Sequence, residues 1–107
     1  MITRDVNHAI RYYIQVIVSF RNADTEALAG GRRVKRFQKI EGIGRRKLRQ
    51  LQIAARLQDL RVSPGNRLEA LKGDRRGQYS IRVNDQFRIC FRWTAAGAED
   101  VEIVDYH

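Results

Sequence analysis

At 107 residues the chain has room for one small domain around one core, which excludes a multidomain enzyme. The 21 Lys+Arg against 12 Asp+Glu give a formal net charge of +9, mostly from arginine, whose planar fork suits phosphate, so the expected partner is a polyanion, nucleic acid before membrane. The single Cys90 leaves disulfides, CxxC zinc sites and redox pairs nothing to build on, and no stretch approaches the ~20 apolar residues of a membrane span, which points to a cytoplasmic protein without metal or cofactor.

Met1 to Ile14 mixes Arg4, Asp5 and Arg11 with apolar residues and lacks both the apolar run and the cleavage site of a signal peptide. Residues 1–15 fit neither the helical nor the strand period and are read as an extension of undefined structure, with the domain proper over 16–107. The β-branched run Val16 to Phe20 predicts a first strand. Asn22 or Asp24 then offers a cap for a short helix over Thr25 to Ala29, which Gly30-Gly31 stops. A basic cluster, Arg32-Arg33-Val34-Lys35-Arg36, follows. From Lys39 to Leu60, Leu48, Leu51, Ala54 and Ala55 recur at helical spacing, and Arg45, Arg46, Lys47, Arg49 and Arg56 fill the other faces. That charge run reads equally as a solvated face or as a nucleic-acid contact.

After Pro64-Gly65-Asn66 the pattern becomes β: Arg67 to Leu71, Gly77 to Val83, Gln86 to Thr94 and Val101 to Asp105, joined by tight turns into an antiparallel meander. Tyr79, Ile81 and Val83, with Phe87, Ile89, Phe91 and Trp93, mark a core face; Ser80, Arg82, Arg88, Cys90 and Arg92 mark an open basic one. Keeping like faces together sets Ile81 opposite Phe87 and Ser80 opposite Arg88, across a three-residue loop at Val83-Asn84-Asp85. Lys72, at a strand end, projects over the open face with Arg88, and the chain closes on a carboxylate, a phenol and an imidazole at Asp105, Tyr106 and His107. RNA cleavage by its own 2′-OH needs a base for the hydroxyl proton, cations for the charge growing on the phosphorus oxygens and an acid for the departing 5′-oxygen; this set offers a candidate for each. Singly, each residue reads as ordinary surface.

The stretch Pro64-Gly65-Asn66-Arg67-Leu68-Glu69-Ala70-Leu71-Lys72-Gly73-Asp74-Arg75-Arg76-Gly77-Gln78-Tyr79-Ser80-Ile81-Arg82, then Asn84-Asp85-Gln86-Phe87-Arg88-Ile89-Cys90-Phe91 and the terminal Asp105-Tyr106-His107, resembles the HigB-type toxins of the RelE/ParE superfamily. The resemblance runs from about Val16 to the end, and the three motifs are specific in combination. It implies an α+β, microbial-ribonuclease-like fold with N-terminal helices on a twisted antiparallel sheet. It implies the toxin of a type II toxin-antitoxin pair, a ribosome-dependent, metal-independent mRNA endonuclease that inhibits translation. Catalytic roles carry over to Lys72, Arg88, Asp105, Tyr106 and His107, with RNA or ribosome contacts from Arg45, Arg46, Lys47, Arg49, Arg75, Arg76, Arg82 and Arg92. The implied partners are a HigA-like helix-turn-helix antitoxin, the ribosome with its mRNA, and promoter DNA only through the antitoxin. Some members carry a histidine three residues before the lysine, where this chain has Glu69. Family chains usually begin Met-Ile-x-Ser-Phe, which aligns with Val16 to Phe20 and is consistent with initiation at Val16. A second reading is a non-enzymatic relative, a ParE-like gyrase inhibitor or a basic nucleic-acid-binding module, which has no reason to keep the five catalytic candidates together.

Overall fold

The computed structural model describes residues 17–106, so the expectations for residues 1–16 and for His107 lie outside the described residues. Two helices, α1 (Ala23–Ala29) and α2 (Glu41–Ile53), pack on a four-stranded antiparallel sheet of order β1-β2-β3-β4, with β1 at Glu69–Ala70, β2 at Tyr79–Arg82, β3 at Phe87–Thr94 and β4 at Gly97–Asp105. Short 3-10 turns cover Lys35–Ile40, Leu57–Arg61, Pro64–Asn66 and Gly73–Arg75. This is the α+β architecture expected of a RelE-like chain.

Asn22 caps α1 by accepting the Thr25 amide at 2.9 Å. Gly44 is buried inside α2, where a Cβ would stand 3.1 Å from Leu28 Cδ2, so the missing side chain lets the helices approach. Leu28, Phe37, Leu48 and Leu51 meet Ile81, Ile89, Phe91 and Val101 in one core, and the Phe37 and Phe87 rings sit edge to face at 5.9 Å.

Several boundaries differ from the sequence expectation. Ile17 to Phe20 makes two isolated parallel bridges to Ala98 and Val101 instead of a continuous strand. The partner strand explains this: Asp100 takes φ 54°, the β3–β4 register shifts between Cys90 and Arg92, and the Asp100 amide turns to Ser19 Oγ at 2.9 Å. Helix α2 stops at Ile53, well short of Leu60, because Asp59 Oδ2 accepts the amides of Ala55 and Arg56 at 3.0 Å and gives them a non-helical partner. The same two bonds, with the Arg56 side chain, hold the Asp59 carboxyl below its ordinary range.

The β2–β3 hairpin is two residues out from the expected register, with Ile81 opposite Ile89 and Arg82 opposite Arg88. Asn84 Oδ1 accepts the Gln86 and Phe87 amides at 2.9 and 2.7 Å, while Val83 N donates to Phe87 O at 2.9 Å, which widens the turn. A slip of two preserves the faces, so the division into core and polar sides stands. The polar side is not open at its centre: Ser80 and Cys90 are fully buried and Gln78 is nearly so. Burial pushes the Cys90 thiol above its ordinary range, which makes it a packed thiol and no nucleophile.

Asn66 ties helix to sheet. Fully buried, it accepts from Lys47 Nζ and donates from Nδ2 to Gln50 Oε1 at 2.9 Å and Leu60 O at 3.0 Å. Asn66→Leu, close in size, strands these partners and is expected to cost about 2–3 kcal/mol, a fall in Tm on the order of 10 °C. An unchanged melting curve would show that the bonds contribute nothing net.

Candidate active site

Arg88 rises from β3 on the polar face with a side chain 11% exposed. Its Nε donates to Ser80 Oγ at 2.7 Å, and Nη2 donates to Arg67 O at 2.8 Å and lies 3.4 Å from Glu69 Oε1. The Arg67 carbonyl reaches it because Arg67 adopts a left-handed conformation, φ 45°, just after the Pro64–Asn66 turn that Asn66 anchors. The Nε–Nη2 edge is therefore committed to the protein, while Nη1 makes no hydrogen bond with another described residue.

The Arg88 guanidinium carbon stands 5.8 Å from the centre of the Tyr106 ring, which is 41% exposed. Gln86 sets the strand end beside it: its carbonyl accepts the Tyr106 amide at 2.6 Å and its Nε2 donates to Asp105 Oδ2 at 3.0 Å. Asp105, opposite Phe87 in the ladder, closes β4. Arg88 and Tyr106 thus meet at one sheet corner, Asp105 stands at the same strand end with the parity of Phe87, and His107 is the residue that follows, outside the described set.

Lys72 sits elsewhere. Glu69 opposite Ser80 and Arg82 opposite Arg88 set Arg67 level with Arg88, so Lys72 lies five residues further along, roughly 16 Å of strand rise. Strand alternation also gives Lys72 the parity of Ala70, whereas Glu69 reaches Arg88. Lys72 is exposed, and its ammonium has no partner among the described residues.

The cations expected to contact RNA divide in two. Arg45 donates from Nε to Leu28 O at 3.1 Å and from Nη2 to Arg32 O at 2.9 Å, bracing α2 against the end of α1. Arg75 bonds Gln78 Oε1 at 3.0 Å and pairs with Glu102 at 3.3 Å, roofing Cys90, and Arg92 pairs with Asp100 at 3.7 Å. These three hold the fold. Arg46, Arg49 and Arg76 are exposed with no side-chain partner among the described residues, and Arg82 bonds Asp85, itself wholly exposed. Lys47 is held below the ordinary lysine range by burial first, then by Arg46 and Arg82, a crowding of like charge that an arriving anion relieves.

Sequence reasoning passed over Ser80, the Arg67 carbonyl and Gln86 as the groups that fix Arg88 and the strand end. All three lay inside the motif stretches, but neither a backbone carbonyl nor the partner of a hydroxyl leaves a sequence signal. Among the described residues no three or more His, Cys, Asp or Glu side chains are grouped to hold a metal, and no helix is long and apolar enough to cross a membrane.

With this geometry in hand, residues 30–107 match the family model for HigB-like toxins, described as the RelE-like toxin of the type II toxin-antitoxin system HigB. Toxin HigB-1 of Vibrio cholerae serotype O1 (strain ATCC 39315 / El Tor Inaba N16961) is 50% identical over 54 residues, a span that covers 50% of this chain and 57% of that relative. The match therefore spans little more than half the length of that curated relative.

Although Arg88 lies on the polar face, its bonds make it part of the framework. Arg88→Ala strands the buried Ser80 hydroxyl and the Arg67 carbonyl and is expected to cost about 1–3 kcal/mol. Glu69, half exposed, adds little to that cost. A melting temperature equal to that of the parent chain would show that the guanidinium is not anchored as described.

Proposed function

The chain belongs to the HigB-like family of RelE-like type II toxins, and on that premise we propose that it is a ribosome-dependent mRNA endonuclease working without a metal. The observation that carries the reading is the Arg88 guanidinium, held on its Nε–Nη2 edge, with Nη1 unbonded among the described residues, beside the Tyr106 ring. A cation already fixed in place loses no orientation when charge develops on a phosphorus oxygen, which is the condition for strong transition-state stabilisation.

In the proposed reaction the RNA 2′-oxygen bonds to phosphorus as its proton passes to a base, and the bond from phosphorus to the 5′-oxygen breaks as an acid protonates that oxygen. The products are a 2′,3′-cyclic phosphate and a 5′-hydroxyl, with one proton taken up and one returned. Arg88 carries the charge on the non-bridging oxygens. His107, Asp105 and Tyr106 supply base and acid, with Asp105 steadied by Gln86. Lys72, set apart along the sheet edge, holds a flanking phosphate of the same strand. Arg46, Lys47, Arg49, Arg76 and Arg82 take phosphates of mRNA or ribosomal RNA, while Arg45, Arg75 and Arg92 serve the fold. The partners that follow are a HigA-like helix-turn-helix antitoxin, through which promoter DNA is engaged, and the cytoplasmic ribosome with its mRNA. Toxin HigB-1, as a named toxin, supports this reading by its likeness over the matched span.

The purified chain is expected to cut mRNA on programmed ribosomes within the translated frame, as mapped by primer extension, and to leave the same RNA intact without ribosomes. His107→Gln, which removes the titrating ring and keeps the chain end, should slow the cut by about a hundredfold or more. Intact mRNA together with loss of DNA gyrase supercoiling would replace this reading with the ParE-like one.

A further inference from the structure

Two lysines of the turn after α1, Lys35 and Lys39, bond nothing among the described residues, and that turn forms one wall of a cleft whose lining includes Gln86. A cavity of about 290 Å³ lies between the Lys35–Ile40 turn and the β2–β3 hairpin, lined by Lys35, Lys39, Asn84, Gln86 and Phe87 among others. That volume falls at the small end of ligand-sized cavities. A second cleft of about 470 Å³, lined by Arg33, Val34 and Glu41 as well, adjoins the first at Lys35 and Gln38.

The wall chemistry favours an anion. Lys35 and Lys39 are exposed, and their ammonium groups have no partner among the described residues, whereas neighbouring Arg36 is neutralised by Asp24 at 2.8 Å. Asn84 spends its carbonyl oxygen on two backbone amides, which leaves its NH2 group to donate. At the inner end Gln86 faces two ways: it lines the cleft, and it also holds Asp105 and the Tyr106 amide. A strand lying in the trough therefore reaches the Arg88–Tyr106 corner through one residue.

We propose that the trough bounded by Lys35, Lys39, Asn84 and Gln86 is a single-stranded RNA subsite that holds the nucleotides flanking the scissile phosphate. It rests on the endonuclease reading for what happens next door. Lys35 and Lys39 neutralise successive phosphates, Asn84 donates to a base edge or a sugar, and Gln86 couples occupancy of the trough to the placement of Asp105. An acidic protein segment is the competing occupant, disfavoured because the trough is lined by Gln86, the residue that holds Asp105 and the Tyr106 amide.

The test uses the full chain and a fluorescein-labelled hexanucleotide RNA, with binding followed by anisotropy across a salt series. Lys35→Ala/Lys39→Ala is expected to weaken binding on the order of tenfold near 0.1 M salt and to flatten the log-log salt slope by about 1.4, the contribution of two single-strand phosphates. Arg21→Ala/Arg61→Ala, an equal loss of charge away from the trough, should leave both quantities unchanged. On programmed ribosomes the lysine variant should raise KM and keep kcat. An unchanged RNA salt slope, an equal loss in the control variant, or a loss confined to binding of a glutamate decapeptide would each overturn the proposal. Lysine-dependent RNA binding by a chain that cuts nothing would support the subsite and count only against the endonuclease reading.

Discussion

A guanidinium that is only 11% exposed must find partners for most of its N–H groups, and the way Arg88 does so organises the functional edge of this protein. Its Nε bonds a buried serine on the neighbouring strand, and its Nη2 bonds a carbonyl turned towards it by a left-handed residue. That carbonyl is in place because Asn66, one residue earlier, is fixed to α2 and to Leu60 O. A chain of hydrogen bonds thus runs from the helical layer through Asn66 and Arg67 to Arg88. The helices position the cation that the proposed chemistry uses, as well as covering the core.

The second constraint sits at the hairpin. Asn84 shapes the turn, the turn presents Gln86, and Gln86 grips the end of β4 through both its carbonyl and its side chain. A terminal strand would otherwise fray at its last residues. Here Tyr106 has its amide satisfied by Gln86 and its ring beside Arg88, so the strand is held through that residue. The exposed edge of β4 is blunted as well, since Thr25 Oγ1 accepts the Ile103 amide at 3.1 Å and the 17–20 segment takes the stretch before it.

Much of this was legible in the sequence, and each miss has a physical source. Alternation in β2 and β3 identified the core face, because period-2 burial follows directly from strand geometry. It could not reveal that Ser80 and Cys90 lie beneath Arg75 and Arg88, since periodicity reports polarity and not what folds over it. The register slipped by two because keeping like faces together fixes only strand parity, and the Asn84 side chain widens the turn beyond three residues. The end of α2 escaped for a similar reason: Ala54 and Ala55 continue the helical pattern, and the stop comes from a carboxylate four residues further on. In the candidate site, the Arg88 guanidinium comes to the Tyr106 ring and Gln86 bonds Asp105, while Lys72 lies two residues past the end of β1, a displacement that so short a strand concealed from the sequence.

Family membership and geometry meet on one claim, that the fixed fork of Arg88 serves the phosphate. Arg88→Lys tests it most directly, because it keeps a positive charge on β3 while exchanging a planar fork for a point charge that cannot bond Ser80 and Arg67 and still face a substrate. Single-turnover cleavage on mRNA-programmed ribosomes, at a temperature where both proteins are folded, is expected to be slower for the variant by about a hundredfold. Cleavage by Arg88→Lys at the parent rate would contradict the account, since charge alone would then suffice and the bonds that orient Arg88 would have no part in catalysis.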